Sequence, residues 1–94
     1  MGAVQVEPRE GSYVLEWRAV KADRDTIGES ARLLRTVGAS VFADLAGGPD
    51  GIVVTLRNGQ VLHASGEDWI VISPHDKVMV FDYDTFAAEF EMVT

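Results

Sequence analysis

Ninety-four residues, of which 47% are hydrophobic and 24% charged, suit one globular domain with room for a single core and little space for a deep substrate chamber. A net charge of −7 argues against unaided binding to DNA or RNA, where affinity comes mainly from Lys and Arg displacing counterions, and it disfavours anionic membrane surfaces. The absence of cysteine excludes disulfides, thiol catalysis and cysteine-ligated zinc.

Residues 1–12 read as an N-terminal arm, interrupted by Pro8, Gly11 and Ser12, in which Val4 and Val6 could add an edge strand or stay mobile. The remainder, 13–94, reads as one α+β domain. Tyr13 to Val20 alternates as a strand does, with Tyr13, Leu15 and Trp17 on one face and Glu16 and Arg18 on the other. Thr26 and Glu29 then form a capping box, and Ile27, Ala31 and Leu34 recur at helical spacing. The helix is expected over about 27–37, with Arg32 and Arg35 outward and Gly38 at the left-handed position past its end.

A short strand is expected at 40–43, followed by a Gly-rich loop at 46–51. Two apolar runs, 52–56 and 61–64, flank Asn58-Gly59 and predict a hairpin with a two-residue type I′ turn. That turn would set Leu56 opposite Val61, Thr55 opposite Leu62 and Val54 opposite His63. Both faces of this hairpin carry apolar residues, which predicts cover on both sides. A second hairpin, 69–72 with 78–81, is nearly continuous in apolar residues and should also be buried on both faces. Asp84 is the expected cap of a final helix over 85–91, with Phe86 and Phe90 on one face docking on the sheet. The expected architecture is a curved antiparallel sheet, closing toward a small barrel, with one central helix and a short C-terminal helix.

The charge is unevenly spread. Five of eight basic residues, Arg18, Lys21, Arg24, Arg32 and Arg35, fall between 18 and 35, whereas from Glu67 onward seven acids meet only Lys77. Two oppositely charged faces follow, suited to solvation, to head-to-tail self-association or to a protein partner. The expected interaction surface is Arg24, Arg32, Arg35, Glu67, Asp68, His75 and Asp76.

Residue types with catalytic potential occur without catalytic spacing. Ser73-Pro74-His75-Asp76 holds the members of a hydrolytic triad, but neighbours in a tight turn point apart. His63 and His75 lack metal-ligand spacing, and His63 fits a sheet position with one ring nitrogen satisfied. Asp82-Tyr83-Asp84 lacks the remaining ligands of an EF-hand, and Gly47-Gly48-Pro49-Asp50-Gly51 lacks the Gly-Lys-Ser/Thr of a phosphate loop. Trp17, Trp69 and Tyr83 suit core packing better than a stacking platform. No catalytic residue, metal ligand or cofactor is assigned. The opening residues carry neither a signal-peptide pattern nor a myristoylation pattern, and no apolar run reaches the ~20 residues that span a bilayer.

Thr55, Leu56 and Gly59 in the first hairpin, Gly66, Asp68, Trp69 and Ile70 in the following turn, and Asp84, Phe86, Phe90 and Glu91 at the end carry a resemblance. Their order resembles that of small phage and prophage proteins of unassigned function, over 13–91 loosely and 52–91 well. Glu67 is inserted between Gly66 and Asp68, and Asp82-Tyr83 stands in place of a Lys-Pro. The resemblance implies a phage or prophage origin and a compact fold, and no activity.

These readings converge on a non-enzymatic protein–protein interaction module acting on a host protein. The alternatives are a virion component, such as a capsid-decorating or minor head protein, and a small ligand-binding or enzymatic domain. The expected partner is a host protein or a second copy, with no direct nucleic acid and no membrane. The expected location is the bacterial cytoplasm or the virion, without secretion.

Overall fold

The structure is a computed structural model that describes residues 3–9, 16–23, 25, 27–44 and 51–93. Arg24, the Thr26 half of the capping box, Tyr13 to Leu15 and most of the Gly-rich loop lie outside them.

The elements run β1 (Val4–Pro8), β2 (Trp17–Lys21), α1 (Ile27–Arg35), β3 (Ser40–Ala43), β4 (Gly51–Thr55), β5 (Val61–Ser65), β6 (Trp69–Ile72), β7 (Val78–Phe81), α2 (Tyr83–Glu89) and β8 (Phe90–Met92). The fold is α+β, as the residue pattern implies. Its strands form two open antiparallel sheets and do not close into a barrel: five strands in the order β7-β6-β2-β1-β8, and three in the order β3-β4-β5. The segment read as an arm or edge strand supplies β1, an interior strand between β2 and β8. Beyond it the Arg9 N–H donates to Glu89 O, and Arg9 Nε donates to Ala87 O at 2.9 Å. A cation there answers the partial negative charge of the last turn of α2.

Alternation along the central strands gives the five-stranded sheet two buried faces. Val20, Ile70, Ile72 and Val78 point to one side, where they pack with Leu33 and Leu34 of α1 and with Ile52, Val54 and Ala64 of the smaller sheet. Ala19 and Val71 point to the other side and pack with Val6, Phe86, Phe90, Trp17 and Trp69. Two clusters thus share β2 and β6, where length and composition implied one core. Burial of the β6–β7 hairpin on both faces is observed.

The β4–β5 hairpin corrects the expectation twice. Its register pairs Thr55 with Val61, Val54 with Leu62 and Val53 with His63, one residue away from the expected pairing. The Gly59 N–H donates to Leu56 O and the Leu56 N–H to Gln60 O, closing a three-residue loop in place of the type I′ turn. Only Gly59 takes a positive φ, 89°, while Asn58 Oδ1 accepts from the Gln60 N–H at 2.9 Å. Asn-Gly serves a type I turn with a following left-handed residue as well as it serves type I′. The cover is also one-sided: Phe42 and Val61 on the outer face of the three-stranded sheet are 59% and 47% exposed.

The β6–β7 loop repeats this geometry with different residues. The Asp76 N–H donates to Ser73 O, the Ser73 N–H donates to Lys77 O, and Asp76 occupies the left-handed position at φ 63°. Ser73 Oγ accepts from the His75 and Lys77 N–H groups, consuming that hydroxyl in the turn.

Both helix ends have identifiable causes. The Ala39 N–H reaches Leu34 O and the Gly38 N–H reaches Arg35 O, a Schellman ending with Gly38 at φ 76°. The cap of α2 is Asp82, not Asp84: its Oδ1 accepts from the Thr85 N–H at 2.7 Å. The helix therefore starts and stops earlier than expected, and Phe90 and Glu91 belong to β8. Phe86 and Phe90 still meet, with ring centroids 5.6 Å apart.

Candidate functional site

The two hairpin loops and the end of α1 converge at one end of the molecule. Between them lies an open groove of about 650 Å³, lined by Arg35 to Gly38, Leu56 to Asn58, Gln60 and Asp76 to Val78. That volume falls within the range of about 300–1,000 Å³ typical of ligand sites. Val37, Leu56 and Val78 belong to the aliphatic cluster or pack against it, and they supply an apolar floor. Arg35, Arg57 and Lys77 supply three exposed cations against one carboxylate, Asp76.

Each cation is placed by backbone geometry. Arg35 ends α1, and the Schellman turn after it carries the chain back under the groove. Arg57 leads the β4–β5 loop, and its guanidinium lies close over Gly38, where an added Cβ would stand 3.1 Å from Arg57 Nε. Lys77 follows the left-handed Asp76. None of the three forms an ion pair with a described residue, whereas Arg9, Arg18, Lys21 and Arg32 each do. At the back of the groove Arg18 donates to Thr36 Oγ1 at 3.2 Å, tying β2 to the end of α1.

The structure brings Arg35 and Asp76 into this groove, with His75 exposed in the adjoining turn. Of the other expected surface residues, Arg24 lies outside the described residues, and Arg32, Glu67 and Asp68 lie elsewhere. Arg32 pairs with Glu29 at 3.7 Å along α1, and Glu67 pairs with Lys21 at 3.6 Å. Asp68 sits at the opposite end of β6, where its Oδ2 accepts from the Ser65 N–H at 3.1 Å.

Asp68 also borders a notch of about 160 Å³ with Asp44, Gly51 and His63. There His63 Nδ1 lies 3.2 Å from Asp44 Oδ2, so one ring nitrogen is satisfied as the sheet position implied. Among the described residues no group of three His, Asp or Glu side chains has metal-binding geometry. Trp17 and Trp69 pack in the aromatic cluster, while Tyr83 is exposed. Asp82 is held below the usual carboxylate range by the Thr85 N–H it accepts from.

No family model, curated protein or solved structure matches the chain. Among the described residues, no helix is long and apolar enough to cross a membrane.

Arg57 and Lys77 are the groove residues that charge counting along the sequence missed. Each is isolated in its own segment, and only the shared loop geometry brings them together. The signal was present in the two hairpin loops, each carrying one cation within two residues of a left-handed residue.

Proposed function

We propose that this protein is a small non-enzymatic interaction domain that works by capturing a protein partner in the groove at the end of α1. The supporting observation is the three cations without ion pairs to any described residue around an apolar floor, on a molecule otherwise rich in acids. Cations on such a rim orient a partner and speed its encounter, while the floor supplies the area that holds it. A phage or prophage origin, with a host protein as partner, is part of this proposal and rests on the resemblance of 52–91 alone.

Photo-cross-linking in cells tests the reading. A photoreactive residue at Asn58, in the groove, should trap one protein, and the same residue at Asp84, across the five-stranded sheet, should not. Cross-links only between copies, or recovery of the protein only in assembled particles, would replace this reading with the virion component.

A further inference from the structure

We infer that the groove takes a short acidic protein segment that carries an apolar side chain among its carboxylates. The inference rests on the proposed interaction function and names the chemistry of the partner. Arg35, Arg57 and Lys77 leave a net charge of about +2 once Asp76 is subtracted (3 − 1). At about 0.1–0.15 M salt, charges beyond ~8–10 Å are screened, so these cations govern what docks among them while the rest of the molecule, at −9 (−7 − 2), acts weakly.

The same features disfavour a nucleic acid strand. Its affinity needs many phosphates neutralised along an extended basic track, commonly ~6–10 contacts, and three cations beside a carboxylate do not provide one. They also disfavour a bare phosphate, because Val37, Leu56 and Val78 would be left without an occupant. A peptide satisfies both halves: its carboxylates meet the rim, an aliphatic side chain covers the floor, and Asp76 can accept a peptide N–H.

The test uses the full chain and a labelled nine-residue peptide of glutamates with one central leucine. Three comparison ligands accompany it: a peptide with every Glu replaced by Gln, one with the leucine replaced by Ala, and a nine-nucleotide single-stranded DNA. Fluorescence anisotropy at about 0.1–0.15 M salt, where that screening holds, should show saturable binding of the Glu–Leu peptide. Binding should be at least roughly tenfold weaker for the Gln peptide, and several-fold weaker for the Ala peptide. Arg57→Glu and Lys77→Glu should each cost roughly tenfold, while Arg32→Glu, outside the groove, should leave affinity unchanged. All three positions are exposed, so circular dichroism melts should confirm that the variants remain folded.

Absence of saturable binding, equal binding to Arg57→Glu, or tighter binding of the DNA overturns the inference. If the peptide fails while Asn58 still cross-links to one protein, the interaction function stands and only the acidic character of its partner falls.

Discussion

On one face of the five-stranded sheet, aliphatic side chains from β2, β6 and β7 meet α1 and the smaller sheet. On the other, aromatic side chains from the same strands meet α2 and β8. The aliphatic cluster fixes the position of α1 and of the β4–β5 hairpin, and so holds two of the three walls of the groove. The aromatic cluster holds the C-terminal elements to the sheet and shares no residue with the lining of the groove. Stability should therefore depend on both clusters, and the shape of the groove mainly on one.

The largest effect is expected in the aromatic cluster. Trp69 stacks on Phe86 with centroids 4.5 Å apart and planes 3° from parallel, so Trp69→Ala should cost about 3–5 kcal/mol in urea unfolding. Trp69→Phe keeps the stack and removes an indole N–H that is buried without a described partner, and should cost less than about 1.5 kcal/mol. An unchanged melting temperature for Trp69→Ala would make the ring a surface contact and dissolve the comparison.

Leu34→Ala in the opposite cluster should cost about 2–5 kcal/mol, since the side chain is fully buried under α1. It should also weaken binding of the Glu–Leu peptide, which Trp69→Phe should not. Equal effects of the two variants on binding would show that the clusters are not separable.

Smaller still is Gly38→Ala. An L side chain at φ 76° costs about 1–2 kcal/mol, and its Cβ would push the flexible Arg57 head aside. A modest loss of stability with a several-fold loss of peptide affinity is the expected pair.

The smallest effect lies at the cap of α2. Because the Asp82 carboxyl is held below its usual range in the fold, its contribution is complete above roughly pH 4 and fades as pH falls through the folded value. Asp82→Asn keeps a cap oxygen and should flatten that part of the stability–pH curve, read by thermal melts between pH 2 and 6. A wild-type curve already flat across that window would remove the cap's role.

Local chemistry made much of the fold legible. Gly38 marked the end of α1, the apolar run Trp69 to Ile72 marked a strand covered on both faces, and Phe86 and Phe90 marked the aromatic contact. Legibility failed where two solutions use the same residues. Asn58-Gly59 fits two loop types, and choosing the wrong one shifts every pair of the hairpin by one residue. Asp82 and Asp84 are both competent caps, and tertiary pairing of Phe90–Met92 with β1 ends the helix before Glu91. The candidate site was the least legible part, because Arg35, Arg57 and Lys77 are 22 and 20 residues apart in turn and meet only through the packing of two loops on a helix end.

The central claim is that this meeting of three cations is the working surface. Its most direct test is the dissociation constant of the Glu–Leu peptide for a variant carrying Arg35→Gln, Arg57→Gln and Lys77→Gln together, measured beside Arg32→Gln. The account predicts that the triple variant melts near the wild-type temperature and loses saturable binding, with Arg32→Gln indistinguishable from wild type. A folded triple variant that binds the peptide as wild type does would contradict it.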